Sequence, residues 1–163
     1  MKKTLLEALM FYVILALFAA AIVAADQITK FLTVASIPLG GQVPALPGVF
    51  RFTYVQNTGA AFSMLEGQRW LFYIITAVFL AFVVLCVWKK WLKSKASLFS
   101  LAAITGGAVG NLIDRATMGY VVDMIEVEFM NFAVFNVADC FITCGAIALV
   151  IFVFLEDRKE KKK

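Results

Sequence analysis

Histidine is absent from the 163 residues. That absence excludes Ser-His and Cys-His nucleophile pairs, the HExxH zinc site and any haem held by histidine. Charge is scarce as well: Asp, Glu, Lys and Arg make up 16% of the chain, against about 25% in ordinary globular domains. Cysteine is limited to Cys86, Cys140 and Cys144, all in apolar runs. Three thiols are too few for a four-thiolate metal site and make no extracellular disulfide framework. They read as small membrane-core hydrophobes.

What is present is apolar. Hydrophobic residues are 63% of the sequence, and the mean hydropathy is +0.90 for 18.0 kDa. A soluble fold of this size cannot bury so much apolar surface. Disorder, a water-soluble enzyme and a nucleic-acid binder are therefore excluded, despite a pI near 9.0. The chain is an α-helical integral membrane protein.

Four charge-free or nearly charge-free runs mark the spans: Ala8 to Ala25, Trp70 to Trp88, Ala96 to Ile113, and Phe129 to Leu155, the last interrupted only by Asp139. Each approaches the ~20 residues that carry a helix across a ~30 Å hydrocarbon core. The spacing predicts one membrane-embedded domain over 1–163, with helices at about 8–30, 70–88, 96–114 and 136–155. Lys2, Lys3, Lys89, Lys90, Lys93, Lys95, Arg158, Lys159 and Lys161 to Lys163 hold eleven of the fifteen basic residues. By the positive-inside bias both termini and the middle loop are cytoplasmic. Segments 31–68 and 115–138 then face outward, and the tail 156–163 is a solvated anchor at anionic headgroups. Val23-Ala24-Ala25 before Asp26 imitates a signal-peptide cleavage site, but the uncharged run of 18 residues is longer than a usual signal core.

The outward segments carry their own pattern. Pro38, Gly40, Gly41, Pro44, Pro47 and Gly48 punctuate a turn-rich stretch. Phe50, Phe52 and Tyr54 then alternate with Arg51, Thr53 and Val55, and a Gly-Ala-Ala-Phe stretch (59–62) leads towards the second helix. Farther on, Ile125, Val127 and Phe129 alternate with Glu126 and Glu128, Asp123 sharing the apolar parity. Period two predicts a small extracytoplasmic β-sheet at the membrane surface.

Ionisable groups at a span are costly and have a partner or a function. Asp26, Lys30, Asp114, Arg115 and Asp139, with Asn111 and Asn136, all fall at outer helix ends under this topology. Gly107, Gly110, Asn111 and Asp114 share one helix face, and Gly106 with Gly110 forms a small-xxx-small pair for close helix approach. Asn111 and Asp114 fit helix packing or support of a site. Asp26 and Lys30, at i and i+4, fit either a site or an interfacial ion pair with a snorkelling lysine. Asp139 fits a helix N-cap favoured by the dipole. Capping does not explain Asp123, a second carboxylate on a neighbouring strand. Two carboxylates in a low-dielectric place share one proton and can split the roles of base and acid. Such a pair hydrolyses an amide with neither histidine nor metal. A Ser-Lys scheme using Lys30 with Ser36 or Ser63 has no support in the spacing. A transporter would place its coupling carboxylates near the midplane, and an assembly subunit would leave Asp123 and Asp139 without a purpose.

Five motifs occur in order: Asp26-Gln-Ile-Thr-Lys30, Asn57-Thr-Gly-Ala-Ala-Phe-Ser63, Gly106-Gly-Ala-Val-Gly-Asn111-Leu-Ile-Asp114-Arg115, Val122-Asp123 and Phe135-Asn136-Val-Ala-Asp139. This set resembles the lipoprotein signal peptidases (bacterial signal peptidase II) over nearly the whole chain. The resemblance implies an aspartic endopeptidase, multi-pass in the bacterial inner or plasma membrane, with its active site at the extracytoplasmic face. Such enzymes remove the signal peptide from diacylglyceryl-modified prolipoproteins, cutting just before the lipidated cysteine. It implies Asp123 and Asp139 as catalytic dyad. Asp26, Lys30, Asn57, Gly59, Asn111, Asp114, Arg115, Asn136 and Ala138 are implied to support the site or bind substrate. No cofactor, metal or nucleic acid is implied; the partners are lipidated prolipoproteins and membrane lipids, and the enzyme is expected to act as a monomer. Met124 stands where the family usually has phenylalanine, another large apolar residue.

Overall fold

The computed structural model describes residues 2–59 and 64–161. Four helices, α1 (Lys2–Ser36), α2 (Arg69–Trp88), α3 (Lys95–Thr117) and α4 (Val137–Glu160), are joined by three strands, β1 (Gln42–Leu46), β2 (Phe50–Asn57) and β3 (Val121–Val127). All four helices are long and apolar enough to cross a membrane. At 35 residues, α1 runs about 50 Å and overshoots a ~30 Å core.

Burial is distributed unlike that of a soluble protein. Large apolar side chains such as Leu17, Ile74, Val84 and Val150 lie exposed on the helix flanks, where lipid would cover them. The least apolar helix, α3, is half buried along its span, whereas the other three are buried along only 6–11% of theirs. It lies against both α1 and α4, with α2 more loosely attached. Glycine permits this. A Cβ on Gly106 would stand 2.8 Å from the Ala19 carbonyl of α1, and one on Gly107 would stand 2.5 Å from the Ala138 carbonyl of α4. The small-residue face of α3 therefore seats two neighbours at backbone distance.

Polar ties fix the helix ends. Ser94 caps α3 by accepting from the Ser97 amide, and Glu156 of α4 accepts from the Lys93 and Ser94 amides at 3.3 and 3.1 Å. At the other end of α4, Asn136 and Asp139 form a capping box, each side chain accepting from the other's backbone N–H.

The strands form one antiparallel sheet in the order β1-β2-β3. Gly48, at φ +78° in the turn between β1 and β2, adopts a conformation that costs glycine least. The pairing of Val55 with Asp123 and of Asn57 with Val121 brings the C-terminal end of β2 beside the first residues of β3. Alternation along β3 then sorts its side chains. Val122 and Met124 cluster with Ile37 and Tyr54, while Val121 and Asp123 turn to a cavity.

Several boundaries differ from the sequence reading. Helix α1 continues to Ser36 and α3 to Thr117, because Thr29, Thr33 and Thr117 return their hydroxyls to carbonyls one turn back and leave the helix unbroken. Strand β1 has five exposed residues, including Pro44, and carries no apolar alternation to announce it. Phe129 lies beyond the end of β3, exposed on the following loop. Residues 60–63 of the Gly-Ala-Ala-Phe-Ser stretch, and Lys162 and Lys163 of the tail, lie outside the described residues.

Candidate active site

Three helices and two strands deliver polar groups to one place. Asp26 and Lys30 come from α1, Asn111, Asp114 and Arg115 from α3, Asn57 from the end of β2, Asp123 from β3, and Asn136, Ala138 and Asp139 from the start of α4. Gly59 closes the turn after β2. All eleven residues singled out in the sequence join one connected region.

Its deeper half is a buried ion cluster. Lys30 is 3% exposed, and its Nζ donates to Asp26 Oδ2 at 2.8 Å, Asp114 Oδ2 at 3.0 Å and Asn111 Oδ1 at 2.9 Å. An ammonium has three donors and no acceptor, so Lys30 is fully used. This excludes the snorkelling interfacial pair: a lysine held between two carboxylates inside the fold does not reach for the headgroups. Asp26 Oδ1 accepts from the Ala138 amide at 2.9 Å, Asp114 Oδ2 from the Val122 amide at 3.1 Å, and Gln27 donates to Asp114 Oδ1 at 2.8 Å. These bonds sew α1 to α4 and α3 to β3. Asp114 does not line the cavity, whereas Asn111 does.

The shallower half holds Asp123 and Asp139. Asp123 Oδ1 accepts from Asn136 Nδ2 at 2.6 Å and Oδ2 from Asn57 Nδ2 at 2.9 Å. Asp139 Oδ1 accepts from Asn111 Nδ2 at 2.8 Å and Oδ2 from the Asn136 amide at 3.2 Å. Every carboxylate oxygen of the pair therefore meets one N–H. The amides have their carbonyls occupied in turn: Asn57 by the Gly59 N–H, Asn136 by the Asp139 N–H, Asn111 by Lys30. Among the described residues no buried side-chain polar atom lacks a partner.

Electrostatics separates Asp123 from an ordinary carboxylate. Burial pushes its carboxyl up to about 7, and the nearby Asp139 charge adds to the rise. The Asn57 and Asn136 hydrogen bonds and the Lys30 charge pull the other way without cancelling it. Such a group holds a proton near neutrality.

Both aspartates line a cavity of about 460 Å³. Asn57, Gly59, Asn111 and Arg115 supply the rest of its polar rim. Its apolar wall comes from Val121, the loop Phe132 to Phe135, and the α4 face Cys140, Thr143 and Cys144. This wall escaped the sequence reading. The available signal was helical spacing: Thr143 lies one turn after Asp139 and Cys144 one turn after Cys140, placing two apparent core hydrophobes on the same face as the carboxylate. Arg115 closes the rim by donating to the Gly59 carbonyl at 3.2 Å, with its guanidinium 4.3 Å from the Phe72 ring of α2.

The Ser-Lys alternative gains nothing here. Lys30 is consumed by its three acceptors, Ser36 lines a separate groove beside Val43 and Phe52, and Ser63 lies outside the described residues. Among the described residues no three His, Cys, Asp or Glu side chains are grouped to hold a metal ion.

The chain is similar to known proteins in sequence and in fold. The family described as signal peptidase (SPase) II matches residues 18–155. A lipoprotein signal peptidase of Streptococcus thermophilus is 42% identical over 137 residues, covering 84% of this chain and 90% of the relative. One of Enterococcus faecalis is 40% identical over 146 residues, covering 90% and 91%. A bacterial membrane enzyme solved by the in meso method at 2.3 Å superposes with a TM-score of 0.83 at 32% identity, covering 90% of both chains. A second, at 1.9 Å, gives 0.76 at 32% identity, covering 83% of this chain and 88% of the other.

Proposed function

The chain belongs to the signal peptidase II family, and from that premise we propose that it removes signal peptides from diacylglyceryl-modified prolipoproteins. Cleavage falls just before the lipidated cysteine, and the aspartates Asp123 and Asp139 form the catalytic dyad. The observation that carries this reading is the pair of carboxylates facing one apolar-walled cavity, with one of them raised to about 7.

The geometry suggests a division of labour. The dyad shares one proton, held at rest by Asp123. Asp139, ionised, takes a proton from a water as that water attacks the scissile carbonyl carbon. Asp123 gives its proton to the carbonyl oxygen, so a neutral tetrahedral diol forms. Asp139 then protonates the leaving nitrogen while a diol hydroxyl returns its proton to Asp123. The C–N bond breaks, and acid, amine and the original dyad remain. The polar rim, Asn57 and Arg115 above all, is suited to the peptide backbone, and the apolar wall to its side chains or lipid.

The charge distribution supports the sidedness. Eleven of fifteen basic residues fall in the sequence at the termini and the α2–α3 connection, and the described helix ends there are the ones remote from the cavity residues. By the positive-inside bias the cavity then faces the extracytoplasmic side of the bacterial plasma membrane. A lipidated substrate anchored in that leaflet presents its scissile bond at this depth. One chain supplies every residue the proposed site needs, so a monomer is sufficient for the proposed reaction.

The test compares a prolipoprotein peptide with and without its diacylglyceryl group, using purified wild type, Asp123→Asn and Asp139→Asn. Wild type is expected to cut only the lipidated form before the cysteine, and both variants to fold without turnover. Normal turnover by either variant would overturn the dyad; equal cleavage of the unlipidated peptide would overturn the substrate class.

A further inference from the structure

Lys30 does not line the cavity, yet it is one hydrogen bond from a group that touches Asp139. Its Nζ donates to Asn111 Oδ1 at 2.9 Å, and Asn111 Nδ2 donates to Asp139 Oδ1 at 2.8 Å. A carboxamide has nearly the same shape either way round, so packing alone does not select its orientation. Hydrogen-bond polarity does. An ammonium only donates, so the Asn111 oxygen must face Lys30 and its NH2 must face the carboxylate. Asn136 Nδ2 also donates to this oxygen, at 3.1 Å, but it is neutral and has its shorter bond, 2.6 Å, to Asp123. The charged donor is the stronger determinant.

We propose that Lys30 is the positioning residue of the proposed dyad, acting through the Asn111 carbonyl to aim that amide's NH2 at Asp139. The inference rests on the dyad reading of the preceding section and adds how the site keeps its polarity. Asn57 and Asn136 have their oxygens held by backbone N–H groups two and three residues along the chain. Asn111 lies inside a helix whose amides are already paired, so it has no such local donor. A side chain from another helix does that work. Asp26 and Asp114, the other two acceptors, fix the ammonium in place. Without Lys30 the Asn111 amide can turn its oxygen to Asp139, replacing a donor at the proposed base with a repelling lone pair.

The charges facing Asp123 are Asp139 from α4, Lys30 from α1, and Arg115 from α3. Of these, the Lys30 charge favours the ionised form of Asp123 and Asp139 disfavours it. Removing Lys30 should therefore move the alkaline limb of the kcat–pH profile upward, which loss of a merely structural contact would not do.

The experiment is a double-mutant cycle on kcat per folded molecule, with Lys30→Met, Asn111→Ala and the pair, using a diacylglyceryl-modified prolipoprotein peptide. Lys30→Met is expected to lose about 10- to 100-fold in kcat, the range orienting groups one shell out carry at metal sites. KM should stay near wild type, and the alkaline limb should move up. The double variant should be no slower than Asn111→Ala, because both changes remove one interaction. Losses that multiply, or an unchanged kcat, would overturn the proposal. Asp26→Asn/Lys30→Met removes one charge of each sign and leaves Asp114 with its other donors; if the single variant does not fold, this pair is compared with Asp26→Asn, and an equal kcat in the two would overturn the proposal. Failure of the dyad itself is distinguishable, since it requires turnover by Asp123→Asn or Asp139→Asn.

Discussion

Replacing Asp123 by Asn should make the fold more resistant to rising pH while it stops catalysis. A carboxyl whose pKa rises from an ordinary 3.8 to about 7 penalises the ionised folded state by about 4 kcal/mol, at 1.36 kcal/mol per pH unit. The folded chain holds this proton more tightly than the unfolded chain does. Wild-type stability from this group is thus full below pH 4 and declines until pH 7. The Asn side chain carries no charge and escapes the decline. It also places an NH2 against the NH2 of Asn57 or Asn136, an unmade hydrogen bond costing about 1–2 kcal/mol at every pH. The variant should therefore start near or below wild type at pH 5 and gain about 2–3 kcal/mol on it by pH 8. For a chain of this length that corresponds to about 5–10 °C in Tm. Thermal unfolding of both proteins in one detergent, at pH 5, 6, 7 and 8, reads the difference directly. A Tm difference that stays constant from pH 5 to 8 would mean Asp123 does not change charge in that range. The assignment of the resting proton would then fail.

Two packing features give further tests. Gly110→Ala places a Cβ 2.5 Å from Asp26 Oδ2. Asp26 must move, loosening its bonds to Lys30 and Ala138; a loss of about 1–3 kcal/mol is expected from the overpacking, and activity should fall with Tm. An unchanged Tm and kcat would show that the α1–α3 seam is looser than described. Glu156→Gln weakens the tie across the N-terminus of α3 by about 1–2 kcal/mol. On α4 it lies roughly 25 Å from Asp139 along the helix axis, so the midpoint of unfolding should drop while turnover per folded molecule is retained.

The polar residues at the span ends were legible in the sequence because lipid makes them expensive. Asp26, Lys30, Asp114 and Asp139 stand out against uncharged neighbours, and the positive-inside bias then orients the spans. Asp123 stood out for a different reason, a carboxylate on the apolar parity of a strand. Helix ends were less legible. Thr29 and Thr33 satisfy their hydroxyls within α1, so polarity there does not stop the helix. Strand β1 was silent because all five of its residues are exposed and no burial imposes an alternation. Cys140 and Cys144 read as small membrane-core hydrophobes; only the packing of α4 against α3 and α1, with Asp123 and the loop Phe132 to Phe135 opposite, makes them part of a cavity wall.

Sequence alone therefore determined the membrane class, the number of spans and the set of residues that need partners. Each follows from local composition: an apolar run of sufficient length must cross, and an ionisable group beside it must be compensated. Which partner each residue takes was decided by tertiary structure. Lys30 could have answered Asp26 alone, four residues away. The glycine face of α3 instead admits α1 closely enough for the same ammonium to reach Asp114 and Asn111, 84 and 81 residues along the chain. Local periodicity carries no information about such contacts, because they depend on how closely two backbones approach.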